Sequence, residues 1–237
     1  MVQNIEKGLI LSLLLSCLFS VDAIFSQKIN QFDENNKRTG VWKKYHSNNR
    51  IRYIGQFKNG KEFGTFRFYD ITTTKHPVVI KKYSTKSDTA FVQFFTLKGN
   101  LRSSGKMIQK NRVGKWIYLF ENGKKFSEEF YLNGKLEGNL KNYYKNGKIT
   151  EHIVYKNGLK HGLMKLYSDE GILLEEVNYL NGKANGLAKY FDLKGNIKEK
   201  GIYKNGKRFG KWEFFMDGEI VSKKEKKKQN KYKKNKR

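Results

Sequence analysis

Cysteine and proline are almost missing from this sequence: 237 residues hold one of each, Cys17 and Pro77. A lone cysteine excludes a disulfide framework and a cysteine-rich zinc site. Scarce proline suits a chain of strands, because proline cannot donate to a β ladder. Acids are few as well, 22 Asp and Glu against 49 Lys and Arg, for a formal net charge of +27. Arginine is sparse within that basic total, 8 Arg against 41 Lys. No apolar run reaches the ~20 residues that a membrane-spanning helix needs. The longest is GLILSLLLSCLFSV, residues 8–21. Aromatic residues are plentiful: 17 Phe, 14 Tyr and 3 Trp. Charge on this scale suggests disorder, but so many rings argue for folded structure.

The apolar run has the length of a secretory signal core, and Lys7 with the terminal amine supplies its positive start. Cleavage is expected after Ser26, with a cut after Ala23 as the alternative. Leu14-Leu15-Ser16-Cys17 resembles a lipoprotein box. Leu18, Phe19 and Val21 keep the run apolar past Cys17, which speaks against lipidation there. The expected organisation is a signal peptide at 1–26, a folded part at 27–222 and a basic tail at 223–237. The expected location is the periplasm or the cell surface.

Glycines mark a period of 24 residues: Gly40 and Gly64, then Gly114, Gly138, Gly162, Gly186 and Gly210. Ala90 fills the one vacant site once two inserted residues are counted, which makes eight units. Five residues after each marker stand Tyr45, Tyr69, Phe95, Leu119, Tyr143, Tyr167, Phe191 and Phe215. Seventeen residues after it stand Phe57, Met107, Tyr131, Tyr155, Tyr179 and Tyr203, with Tyr83 joining through the insertion. Asn-Gly pairs at 59–60, 122–123, 133–134, 146–147, 157–158, 181–182 and 205–206 predict type I′ hairpins. Runs of about seven alternating residues between the turns predict half-buried strands. No window long enough for a helix escapes a glycine break. The fold class is therefore all-β: an elongated antiparallel meander of about 16 strands. Each ring is expected to pack on the same ring one unit away.

Lysines interleave with the aromatics, as at Lys141, Lys145, Lys165, Lys189 and Lys211. They either guard strand edges against aggregation or form an anion-binding face. Residues 70–89 lose a turn glycine and hold Pro77, which suggests a bulged edge, a lid-like loop or a degenerate repeat. Residues 223–237 carry ten basic residues and one Glu, and charge repulsion predicts disorder there. Lys223, Lys224, Lys226, Lys227 and Lys228 are the candidate anion contacts of that tail.

Catalytic patterns are missing. The four histidines, His46, His76, His152 and His161, form no metal-ligand spacing. Gly201 to Arg208 imitates a phosphate-binding loop, but Arg208 stands where a Ser or Thr would hold magnesium, and no helix follows. Glu128-Glu129 and Glu175-Glu176 are neighbours in strands, so the members of each pair point to opposite faces. Nothing selects catalytic, cofactor or metal residues, and none is assigned. Sparse arginine and export argue against nucleic acid as a partner.

The unit Tyr155-Lys-Asn-Gly158-Leu-Lys-His-Gly162-Leu-Met-Lys-Leu-Tyr167 resembles the bacterial MORN repeat variant, as does Tyr203 to Phe215. The chain is similar to exported 24-residue repeat proteins and to YwqK-type antitoxins. That resemblance implies a scaffold or contact surface without catalytic residues. The expected function is a non-catalytic, exported binding protein for a protein partner or an anionic envelope component, lipid head group or polysaccharide, with peripheral membrane association. The alternative is an antitoxin or immunity protein that caps a toxin.

Overall fold

The computed structural model describes residues 28–84, 87–222 and 224–225. The expected signal peptide lies outside them. The sheet opens with β1 (Gln31–Phe32), β2 (Arg38–Tyr45), β3 (Ile51–Lys58), β4 (Lys61–Phe68) and β5 (Val79–Tyr83). It continues with β6 (Thr89–Phe95), β7 (Leu101–Ile108), β8 (Asn111–Leu119), β9 (Lys125–Leu132) and β10 (Lys135–Leu136). Next come β11 (Gly138–Tyr143), β12 (Ile149–Lys156), β13 (Leu159–Lys160), β14 (Gly162–Tyr167) and β15 (Leu173–Leu180). It closes with β16 (Lys183–Phe191), β17 (Ile197–Lys204), β18 (Lys207–Met216) and β19 (Glu219–Val221).

Successive arms pair antiparallel in one open sheet of 19 strands, a meander. The count exceeds the expected 16 for local reasons. Glu137 and His161 interrupt two arms, splitting each into a two-residue and a six-residue strand. Strands of two and three residues also finish the two ends. The variant segment is interior and not an edge: β5 and β6 pair without a register shift, so the unit persists as a degenerate repeat. Its extra residues form a loop strapped to a neighbouring turn, with Asn48 Nδ2 donating to Ile71 O at 2.9 Å.

The marker glycines bulge the sheet. All seven have positive φ, from 64° at Gly114 to 100° at Gly186, a region that side chains with a Cβ avoid. Toward the preceding strand, Gly114 and Lys115 lack a partner, and the register around Gly64 shifts by the same two residues. Ala90 is not among the positive-φ residues, and its strand pairs with β5 without a register shift.

The two long edges differ. On one, Asn59-Gly60, Asn133-Gly134, Asn157-Gly158, Asn181-Gly182 and Asn205-Gly206 have positive φ at both residues, the type I′ signature. Each of these turn glycines donates its N–H to a carbonyl one unit back, as from Gly182 to Lys160 O at 2.9 Å. The Asn-Gly pairs at 122–123 and 146–147 are not hairpins of that type. Only their glycines have positive φ, and they sit in the longer loops of the opposite edge. There too one turn ties to the next, as Asn146 Nδ2 donates to Asp169 O at 2.8 Å.

A single sheet still makes a core. One cross-strand column runs Trp42, Gly55, Phe66, Lys81, Val92, Gly105, Trp116 and Glu129. It continues Leu140, Ile153, Met164, Val177, Ala188, Gly201 and Trp212. Val92, Trp116, Ile153 and Ala188 are 0% exposed. Tyr118, Met107, Tyr155, Tyr179, Tyr190 and Tyr203, from the columns on either side, pack against that middle line. Large and small residues alternate where space demands it. A Cβ on Gly55, Gly105 or Gly201 would stand 2.3–2.4 Å from the ring of Phe66, Trp116 or Trp212.

Rings do not stack on their own repeat position. Units advance about 10 Å, beyond the 4.5–7 Å of ring contact. They meet across columns instead: Trp42 with Phe57 at 5.8 Å, Phe57 with Phe66 at 5.3 Å, Tyr203 with Trp212 at 5.1 Å.

Candidate interaction surface

Alternation along strands sends successive side chains to opposite faces. The register therefore sorts the charges. The face that holds the buried column carries Arg38, Lys44, Lys81, Arg112, Lys160 and Arg208 against Glu62, Glu129, Glu151, Glu175, Glu199 and Glu219, six of each sign. The other face carries Lys43, Lys58, Lys61, Arg67, Lys82, Lys106, Lys115, Lys135, Lys141, Lys156, Lys165, Lys183, Lys189, Lys200, Lys204 and Lys207 at paired positions. Only Glu128, Glu176 and Glu213 oppose those sixteen, and Lys125, at the bulge opposite Leu119, adds a further cation that reaches Glu128.

Those three acids are already engaged. Glu128 binds Lys115 at 3.1 Å, Glu176 binds Lys165 at 3.2 Å and Lys189 at 3.7 Å, and Glu213 binds Lys200 at 3.0 Å. Lys58 stands opposite Lys61, and Lys204 opposite Lys207, across their hairpins. Like charges in that relation destabilise a sheet, so these lysines are not there for strand pairing. Large apolar residues share the lysine face: Phe63, Phe91, Phe130, Leu132, Leu159, Leu180, Ile202 and Phe209 are all 40–56% exposed.

The expected repeat tyrosines, Tyr131, Tyr155, Tyr179 and Tyr203, lie on the opposite face and flank the buried column. Burial pushes the Tyr131, Tyr155 and Tyr179 hydroxyls above the ordinary phenol range. They stay protonated at neutral pH. The Tyr131 hydroxyl donates a hydrogen bond to Glu129 and accepts one from Arg112 at 3.2 Å. The Arg112 guanidinium also lies 4.9 Å from the Trp116 ring centre. Arg208 repeats this over Trp212 at 3.9 Å and donates to Glu199 at 2.7 Å. Three of the eight arginines, with Arg38 4.3 Å above Phe57, are thus spent on covering rings.

Glu128 and Glu129 do part, one to each face, as alternation requires; so do Glu175 and Glu176. His152 faces Lys141 and Lys165 across its two neighbouring strands. Partial burial, then those two cations, hold its imidazole below the usual range. Among the described residues, no three His, Cys, Asp or Glu are grouped to hold a metal ion. No helix among them is long and apolar enough to cross a membrane.

Of the five tail lysines, Lys224 alone is described, exposed and helical; Lys223, Lys226, Lys227 and Lys228 lie outside the described residues. The chain leaves the sheet through a capping box. Ser222 N donates to Glu225 Oε2 at 2.7 Å, and Glu225 N to Ser222 Oγ at 3.3 Å. The Ser-x-x-Glu spacing was a readable signal for it. The polarity of the faces was readable too: most lysines next to the markers stand at odd distances from the glycine, as in Lys43, Lys61, Lys141 and Lys189, while Lys44, Lys160 and the arginines over rings stand at even ones.

The MORN repeat variant family model matches residues 38–59, 112–133, 136–157, 160–181 and 184–205. Each match starts two residues before a marker glycine and ends in the next type I′ turn. No curated protein matches the chain, so the likeness to YwqK-type antitoxins gains no support from that comparison. Five units of the sheet match the MORN repeat variant, and the remaining units keep the same 24-residue period.

Proposed function

We propose that this chain is a non-catalytic, exported repeat protein whose lysine face binds an acidic partner at the cell envelope. Candidates are an acidic protein, anionic lipid head groups or envelope polysaccharide. One observation carries the reading: sixteen cations against three acids on one face, and six against six on the other. A surface that needed only solubility would not segregate charge this way, nor set Lys opposite Lys at hairpin ends. A rigid sheet holds the cations in rows, so little backbone ordering opposes a long contact. Each Lys near an anionic surface contributes about 1 kcal/mol. Exposed Phe and Leu between the rows add contact area.

Co-sedimentation with anionic vesicles and with a linear polyuronate, across a salt series, tests this. Binding is expected to weaken steeply as salt rises. The triple variant Lys156→Glu, Lys183→Glu, Lys204→Glu is expected to lose it without a change in the β-sheet circular dichroism. Binding that ignores salt, or that survives the triple variant, would refute the lysine face.

A further inference from the structure

One charge pair recurs across hairpins on the face of the buried column. Glu199 stands nine residues before Arg208 and accepts from it at 2.7 Å. Glu151 stands nine residues before Lys160 and pairs with it at 3.5 Å. The hairpin of β7 and β8 keeps the cation and drops the acid: Arg112 is present, and Ser103 occupies the place of the glutamate. Ser103 is flanked in register by Phe94 and Tyr118, as Glu199 is by Tyr190 and Phe214. The shorter side chain leaves room between its neighbours. An open cavity of about 360 Å³ lies there, and its lining includes Phe94, Ser103, Arg112, Tyr118, Phe126 and the exposed Arg102.

Arg112 is held ready for an anion. Its guanidinium lies 4.9 Å from the Trp116 ring centre and 5.5 Å from that of Tyr131, and its Nη1 donates to the Tyr131 hydroxyl at 3.2 Å. Among the described residues it has no ion pair, unlike Arg208; the Tyr131 hydroxyl stands between it and Glu129. A guanidinium fixed in this way needs little further ordering to bind. Arg102 adds a second positive charge, and no acid lines the cavity. Most of the remaining wall is aromatic. Apolar sides with a few placed polar groups are the usual make-up of a small-molecule site.

We infer that this cavity binds a small carboxylate with a flat apolar body, of the arylalkanoate class. The carboxylate takes the place of the absent glutamate on Arg112, as a charge-assisted hydrogen-bonded pair, and the Ser103 hydroxyl supplies a second donor. The ring lies between Phe94 and Tyr118, where aromatic contacts favour it. An inorganic anion would leave the apolar walls uncovered, and a neutral aromatic would lack the ion pair, so the site selects for both halves together. Ser103 and Arg112 belong to the face opposite the lysine rows, so this site goes beyond the acidic-partner reading and does not depend on it.

The probe is 3-phenylpropionate, titrated by calorimetry into the mature full-length protein, with 3-phenylpropanamide as its neutral counterpart. Saturable one-to-one binding of the acid is expected, with the amide about tenfold weaker or more. Ser103→Glu introduces the carboxylate that Glu151, Glu175 and Glu199 already carry at this repeat position, so the sheet accommodates it. That variant should abolish binding while its thermal midpoint holds or rises. Arg112→Gln should weaken binding about tenfold or more. Lys183→Glu, a larger charge change on the opposite face, should alter it less than about twofold. No saturable binding, equal binding of the amide, or binding undiminished in Ser103→Glu or in Arg112→Gln overturns the site. A loss in Lys183→Glu as large as that in Ser103→Glu also overturns it, because general attraction to a basic chain would then account for the binding.

Discussion

Gly105→Ala is the sharpest test of how a one-layer sheet holds a core. Gly105 is not among the positive-φ residues, so the backbone accepts alanine there without strain. In an ordinary strand the change would stabilise by about 0.5–1 kcal/mol, because glycine loses more freedom on folding. The structure reverses that sign. The new Cβ would lie 2.4 Å from Cδ2 and Cε2 of Trp116, a ring that is 0% exposed. The indole cannot slide aside freely: its Nε1 is bonded to Lys106 O, and Arg112 lies over its face. Full ejection of about 200 Å² of ring would cost about 5 kcal/mol, which is the ceiling. Partial displacement with overpacking costs about 3 kcal/mol. Gly114→Ala is the control. It has φ of +64° and nothing within 4 Å of its Cβ, so only left-handed strain of about 1 kcal/mol applies. Urea unfolding followed by tryptophan fluorescence and near-ultraviolet circular dichroism reads both. In a Trp116→Leu background the Gly105→Ala penalty should fall by about 2 kcal/mol, the signature of a direct contact. A Gly105→Ala midpoint no lower than that of Gly114→Ala would refute the ring-on-glycine account.

Two more expectations follow from the charge rows. His152 occupies the position that Glu128 and Glu176 hold one unit away on either side, between Lys141 and Lys165. His152→Glu should restore the alternating row and stabilise by about 0.3–1 kcal/mol in low salt, with the gain shrinking in 1 M salt. The wild-type imidazole titrates below its unfolded value, so its share of stability is present above about pH 6.5 and is lost as pH falls through the lowered folded value; the variant should lack that loss. Burial raises the Glu175 carboxyl, so its ionisation opposes folding at neutral pH, and the penalty disappears as pH falls through the raised value. Glu175→Gln should therefore raise the thermal midpoint at pH 7 and leave it unchanged near about pH 4; an equal shift at both values would contradict burial as the cause.

Much of this protein is written locally. The period, the antiparallel meander and the hairpins at 59–60, 133–134, 157–158, 181–182 and 205–206 depend on which residues tolerate positive φ, a property of single residues and their neighbours. Seven marker glycines reveal it without any knowledge of packing. Other features arise only between strands. Trp116 resting on Gly105 joins residues 11 apart through a register that the Gly114 bulge shifts, so its contact cannot be counted from a simple hairpin. Rings at one repeat position never touch, because the strand spacing sets them about 10 Å apart, although the periodicity alone invites stacking. The same spacing and alternation turn a net charge of +27, a bulk property of composition, into a balanced face and a cationic one. Composition has no direction; the pleat of a paired sheet does, and only the tertiary structure decided which lysines share a face.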